Sequence, residues 1–357
     1  MDADFLVIGG GIAGISAAAR LSSMGSVIVL EAEAQLAHHA SGRSAALYEP
    51  HYGAKAVVEL SMASGAYFHG AAGVLSPRGL MILGRPGEEE AFDHDLAAMA
   101  FERVSVAEAR AVVPILNGSV TMAGMADHAW DIDTDLLLQG FARDVRAAGG
   151  KTMTKARVTA ITRTAMGWQV ATTAGVFSGR LLVNAAGAWV DEVAVMAGVQ
   201  PLGFQPMRRS MARIPAPGGF DVSGWPMIFS AGEAWYAKPD AGALIVSPAE
   251  EHPMPPQDAW ADDMVLAEGL ARYEEYVTEP VTRVISNWAG LRTFSPDRVP
   301  VIGPDAREPA FFWVAGQGGY GFQSAPAASR LMADIAGGAQ TALSQALVAA
   351  LSPARFG

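Results

Sequence analysis

The 357-residue chain contains no cysteine. That excludes a disulfide scaffold, a thiolate metal centre, a thiol nucleophile and a cysteinyl bond to a cofactor. Charge is also sparse: Asp, Glu, Lys and Arg make up 17% of the residues, against 51% hydrophobic. Intrinsic disorder needs the opposite balance. Positive charge is the scarcer sign, with 25 Lys and Arg against 36 Asp and Glu and a net charge of −11. Without a basic face to neutralise phosphates, nucleic acid is not expected as a partner. No apolar run reaches the roughly 18 residues of a membrane span. The longest candidate, Phe5 to Ala19, is broken by Gly9, Gly10, Gly11 and Gly14. It also has neither the basic start nor the cleavage-site context of a signal peptide. A soluble chain of cytoplasmic location is expected. At roughly 150 residues per domain, the length suits two domains, or one with an inserted lobe.

What is present begins at the N-terminus. Phe5-Leu6-Val7-Ile8 reads as a buried parallel strand. Gly9 to Gly14 then fits G-x-G-x-x-G, an Ala-rich helix is expected from Ile12 to about Met24, and Gly25 stops it. Val27 to Leu30 reads as a second strand, ending in Glu31. Gly9 permits the tight turn, Gly11 lets backbone N–H groups approach a pyrophosphate, and Gly14 lets the helix lie on the sheet. Glu31 is placed to accept hydrogen bonds from ribose hydroxyls. Strand, glycines, helix, strand and acid in that order within about thirty residues make a dinucleotide fingerprint. FAD and NAD both use it. The next segment, His38-His39-Ala40-Ser41-Gly42-Arg43-Ser44-Ala45-Ala46, is small and polar and favours FAD. An NAD domain more often continues into a crossover helix and a third strand.

Local patterns fill in the rest. Phe92 to Ala111 is rich in Ala and Glu and reads as a helix. Leu136 to Ala148 reads as another, with Asp133 as N-cap. Arg157 to Arg163 and Gly167 to Thr172 alternate like paired strands, and Leu181 to Val183 reads as a buried one. The prolines, aromatics and short β-like runs between 201 and 290, such as Ala243 to Val246, suit an antiparallel sheet over a pocket. Phe311 to Ala315 reads as a buried strand leading through Gly316-Gln317-Gly318-Gly319-Tyr320-Gly321 into a helix from about Ser324. That glycine turn frees the backbone to meet a planar ring.

Several runs carry a resemblance: GRSAA (42–46), SPR (76–78), DIDTD (131–135), LVNAAGAW (182–189), RRS (208–210), WPM (225–227), KPDAG (238–242), WAGLR (288–292) and QGGYG (317–321). Over nearly its whole length the sequence resembles the FAD-dependent D-amino-acid oxidase and glycine oxidase family. Within that family it is most similar to the bacterial D-arginine dehydrogenase branch. The resemblance implies an α/β fold, with a Rossmann-like FAD-binding domain interleaved with an α+β substrate domain built on an antiparallel sheet. The FAD domain is expected at 1–45, 130–195 and 290–357, and the substrate domain at 46–129 and 196–289. Cofactor contacts are expected from Gly9, Gly11, Ala13, Gly14, Glu31, Ala32, Ser41, Gly42, Arg43, Ser44, Ala45, Ala46, Val158, Ala186 and Gly187. The C-terminal turn adds Gln317, Gly318, Gly319, Tyr320, Gly321 and Phe322.

For an amino-acid substrate the resemblance implies a carboxylate grip by Arg292, Arg209, Tyr52 and Tyr236, with Gly319 beside them. A planar fork of donors suits a carboxylate best. Hydride transfer from the α-carbon needs placement rather than an acid–base residue, and none is assigned. The D-arginine branch has a His where this chain has Leu47, and a guanidinium-binding Glu where it has Leu80. Leucine cannot pair with a cation, so apolar or aromatic D-amino acids are expected over D-arginine and D-lysine, although Glu49 and Glu233 offer negative charge nearby. An N-methyl or cyclic imino acid is an alternative substrate, and a non-catalytic flavin-binding subunit of a hetero-oligomer is an alternative role. The electron acceptor, whether oxygen, a quinone or another carrier, is encoded by no motif. His38-His39 reads as a solvated or phosphate-facing pair, so FAD is expected to be non-covalent. The acids 131, 133 and 135 do not complete a calcium loop, and no metal site is expected.

Overall fold

The computed structural model describes residues 1–357. Apolar runs without alternation become its central parallel strands. Strand β1 (Ala3–Ile8) and strand β2 (Val27–Leu30) pair in parallel, with Phe5 opposite Val27 and Ile8 opposite Leu30. Helix α1 (Ile12–Leu21) crosses between them. Gly175–Asn184 flanks β1 on its other side, and Phe311–Ala315 flanks that strand in turn, both parallel. The alternating segments Val158–Thr164 and Gly167–Thr172 form an antiparallel extension. With Lys151–Met153 and Val301–Pro304 the sheet has eight strands.

Both faces of this sheet are covered, as a parallel sheet requires. On one face Ile15 and Leu21 of α1 pack with Leu137 and Phe141 of Thr134–Ala147 and with Leu331 of Gly321–Ala336. Asp133 caps the helix that follows it by accepting the Leu136 N–H at 2.8 Å. Trp168, Val190, Phe311 and Trp313 fill the other face.

A second sheet of nine strands is antiparallel, except where Leu80–Gly84 runs parallel to Met227–Ser230. Its long central pair, Gln205–Pro215 and Ser286–Phe294, runs from Gln205 opposite Phe294 to Arg213 opposite Ser286. A small sheet of Leu47–Tyr48, Trp130–Ile132 and Leu75–Pro77 completes the strand set. The fold is a mixed α/β one.

Three expectations change. The stretch 92–111 is not one helix: Glu89–Ala98 ends, Glu102–Val104 is a strand, and Val106–Val112 is a new helix. Ala100 at φ +54° turns the chain, and Ser105 and Glu108 form a capping box that restarts it. The C-terminal helix begins at Gly321 rather than near Ser324. Finally, Ser286–Phe294 belongs wholly to the nine-stranded sheet, so the expected boundary at 290 falls mid-strand and the chain crosses after Phe294.

Candidate active site

A long cleft runs between the two sheets as two cavities sharing one wall. Gly11, Ser41, Arg43, Ala185, Gly187 and Gly290 line both. At the first end the glycine turn does what its spacing predicts. A Cβ on Gly14 would overlap the Gly9 carbonyl oxygen, so only glycine lets α1 lie this close to the turn. Ile12 N–H, at the start of α1, donates to Ser41 Oγ at 3.0 Å. Glu31 is buried and braces the turn: Oε2 accepts from Gly10 N–H at 2.6 Å and Oε1 from Glu33 N–H at 2.7 Å. Ala32, Val158 and Ala186 line this end with it. A helix N-terminus, a Cβ-free turn and a carboxylate in one groove are the donor set for a dinucleotide, so these residues fit the adenosine and pyrophosphate parts of FAD.

Arg43 faces the cleft but spends its donors elsewhere. Its Nη1 donates to the carbonyls of Ala259 at 2.8 Å and Ala289 at 2.9 Å, and Nη2 pairs with Asp258. It clamps the 258–259 segment and the long strand onto the cleft rather than offering a free cation. Ser44, Ala45 and Ala46 continue the wall into the second cavity, where Ala13 and the 317–322 turn complete it. Gly42 sits under the Ala37 carbonyl and Gly14 under that of Gly9, so both shape the turns that carry the cavity walls.

The second cavity gathers every expected substrate residue: Leu47, Tyr52, Leu80, Arg209, Tyr236, Arg292 and Gly319. Strand pairing explains the arginines. Arg209 lies opposite Gly290, and Arg292 opposite Met207, so both arginines project from one face, diagonal across a residue without a side chain. Arg208 points to the other face, toward His252, Glu250 and Asp262. The two cavity arginines differ in their partners. Arg209 is 5% exposed, and its Nε donates to the Glu250 carbonyl at 2.9 Å while Nη2 pairs with Glu251 at 3.3 Å.

Arg292 has phenols as neighbours and no carboxylate. Burial works against its charge, but Tyr52, Tyr236 and Tyr320 more than offset this, and its pKa lies above the usual guanidinium value. Its accessible surface opens into the cavity, and Gly319 packs against it so closely that a Cβ there would stand 2.8 Å from Nε. Burial and nearby Glu233 raise the Tyr52 pKa, with Arg292 opposing, so the phenol stays protonated. Its hydroxyl donates to Glu233 Oε2 at 2.9 Å. Away from this polar end, Leu80, Phe229 and Tyr236 form an apolar cluster with Leu47 and Met227 against it.

Some neighbours escaped the sequence reading. Gly290 was visible only as a letter in WAGLR. Met211 and Phe229 line the cavity from distant strands, and Met99 and Trp235 from a helix end and a turn, with no local pattern to announce them. Glu49, noted only as a possible charge, is 4% exposed, and burial pushes its carboxyl up to about 8 against a hydrogen bond from His51 N–H. The acids at 131 and 133 are structural: Asp131 pairs with Arg78 and Lys238, and Asp133 is the helix cap.

The family model for DAO, FAD dependent oxidoreductase, matches residues 4–335. Human mitochondrial dimethylglycine dehydrogenase is 24% identical over 380 residues, covering 93% of this chain and 42% of that protein. The chain spans less than half the length of the curated relatives it matches. Among solved structures, L-proline dehydrogenase from P. horikoshii superposes with a TM-score of 0.84 at 22% identity, covering 99% of this chain and 98% of that one. Glycine oxidase from Geobacillus kaustophilus gives 0.84 at 20% identity, covering 98% of each. No helix is long and apolar enough to cross a membrane. A cleft that leads from a dinucleotide cradle to a half-buried arginine is thus matched by a family model across most of the sequence, and the chain belongs to the DAO family of FAD-dependent oxidoreductases.

Proposed function

We propose that this chain oxidises the Cα–N bond of D-amino acids with apolar or aromatic side chains. The observation that carries the reading is Arg292: a half-buried guanidinium facing a cavity, with tyrosines around it and no ion pair to a carboxylate. An unpaired buried charge is costly, and a planar carboxylate is its natural complement. With the substrate carboxylate on Arg292, the apolar cluster of Leu47, Leu80, Met227 and Phe229 receives the side chain. Neither leucine offers a counter-charge to a cation, which disfavours D-arginine and D-lysine.

Bound FAD supplies the acceptor for the α-hydrogen and its electron pair. The protein's part is placement. Arg292 and Tyr52 fix the carboxylate, and the apolar wall excludes water while the unprotonated amine expels the hydride. Tyr52 has one O–H, held in the structure by Glu233. Substrate competes for that proton, so binding releases Glu233. Arg209, with Nε and Nη2 engaged by Glu250 and Glu251, adds positive potential beside it. Water then hydrolyses the imino acid to a 2-oxo acid and ammonia. The likeness to the D-arginine dehydrogenase branch supports D over L.

A second reading, oxidation of an N-methyl or cyclic imino acid, is favoured by the relatives named for dimethylglycine and proline. Anaerobic mixing of the yellow holoprotein with D-leucine, D-phenylalanine, D-arginine, L-leucine, N-methylglycine and L-proline separates the readings. Bleaching of the flavin is expected to be fastest with D-leucine or D-phenylalanine. Faster bleaching by D-arginine would remove the apolar preference, and faster bleaching by N-methylglycine or proline would select the second reading. No bleaching by any of them would remove both.

A further inference from the structure

Two turns from distant parts of the chain meet beside the cavity, and each brings imidazole. His51 Nδ1 lies 3.2 Å from Glu49 Oε1, and His128 Nε2 lies 3.2 Å from Glu49 Oε2. One ligand atom from each residue falls within 4.8 Å of the others. The Glu49 side chain is 6% exposed, yet its Oε2 has no hydrogen-bond partner, and neither has His128 Nε2. The two unbonded atoms face each other at 3.2 Å. A cation between them would satisfy both. No lysine or arginine pairs with Glu49.

The geometry points to a zinc site formed by Glu49, His51 and His128. Each ring nitrogen lies 3.2 Å from a different Glu49 oxygen, so an ion seated beside the carboxylate has both imidazoles within reach. Two imidazoles and one carboxylate form a recurrent zinc-binding set that leaves a position open. The rings are inclined at 71° with centroids 4.6 Å apart, splayed around a common point rather than stacked. Both imidazoles are partly exposed, which gives the ion a way in. The cluster of Glu33, His38 and His39 lacks this need, because Arg157 already pairs with Glu33 at 3.0 Å and Arg43 with Asp258.

Zinc here clips together two turns that shape the cavity. Glu49 N–H donates to Gln323 Oε1 at 3.0 Å, and Tyr52 follows on the same turn. The Ala129 carbonyl beside His128 accepts from Arg78 and Gly79 N–H. The site stands whichever substrate the cavity takes.

The test uses holoprotein stripped with a chelator, dialysed, and titrated with zinc chloride. Zinc is read by elemental emission against flavin content, and melting is followed by flavin fluorescence. About one tightly held zinc per flavin is expected, with a higher melting temperature. Zinc affinity should fall at least tenfold in His51→Gln, His128→Gln and the near-isosteric Glu49→Gln, and stay unchanged in a His38→Ala/His39→Ala control. X-ray absorption of the loaded wild type should show two imidazoles and a carboxylate at roughly 2.0–2.1 Å, a readout independent of whether any variant folds. Zinc retained undiminished by the His51→Gln/His128→Gln pair, a ligand sphere without imidazole, or no binding by wild type above that pair would overturn the assignment.

Discussion

At its nucleotide end the cleft is made of backbone, and at its substrate end of side chains. The first is built by one unbroken stretch: β1, the glycine turn, α1, β2 and Glu31, with groups that fit FAD presented by N–H vectors and by the absence of Cβ atoms. The second draws on Leu47, Leu80, Arg209, Tyr236 and Arg292, each on a different strand, and on Tyr52 from a turn. A shared cofactor can be gripped by local geometry that any member of a fold carries. A particular substrate needs positions that only the assembled sheet brings together, and those are free to change one at a time.

Substitutions at the two ends should therefore separate flavin retention from substrate handling. The largest effect is expected from Gly14→Val, where the new side chain collides with the Gly9 carbonyl. The protein should purify colourless, checked by its absorption spectrum. Arg292→Met should keep its flavin but lose about 3–4 kcal/mol of substrate grip, a fall of roughly 10²–10³-fold in kcat/KM seen by steady-state kinetics. If it also lost its flavin, the separation of the two ends would fail. Leu80→Glu should raise turnover of D-arginine relative to D-leucine by about tenfold, the worth of one partly screened ion pair. Glu31→Gln should weaken FAD binding about fivefold to tenfold without altering substrate preference, as measured by flavin titration of the stripped protein.

The smallest effect belongs to the crossing between the sheets. Burial would raise the Asp297 carboxyl, but hydrogen bonds from Arg355, Ser295 and Val299 N–H outweigh it and hold the pKa below the usual carboxylate value. A folded pKa below the unfolded one contributes stability above the unfolded value and loses it as pH falls through the folded one. Asp297→Asn should thus melt lower than wild type at neutral pH, by no more than roughly 1 kcal/mol. The gap should close in acid, as followed by melting curves across pH.

The same contrast governs what the sequence could tell. The glycine fingerprint and Glu31 were legible because their partners are near neighbours. Asp133 was legible as a cap because its target, Leu136 N–H, lies three residues on. The alternation of Arg208 and Arg209 followed once RRS was known to be a strand, but that needed Ser286–Phe294 beside it. The 92–111 stretch misled because Ala and Glu composition says helix while Ala100 and the Ser105 cap, a matter of single positions, break it. Nothing local marks His128 as a neighbour of Glu49, since the small sheet that brings their turns together pairs Leu47 with Asp131 and Tyr48 with Trp130.

Met99, Met211 and Met227 face the cavity, in a chain with no thiol to be oxidised in their place. Where dioxygen takes the electrons, peroxide is released among these thioethers, and each sulfoxide formed puts a polar group into the apolar wall. Such a catalyst wears out by use, at a rate set by turnovers rather than by time, and catalase in the assay should lengthen its working life.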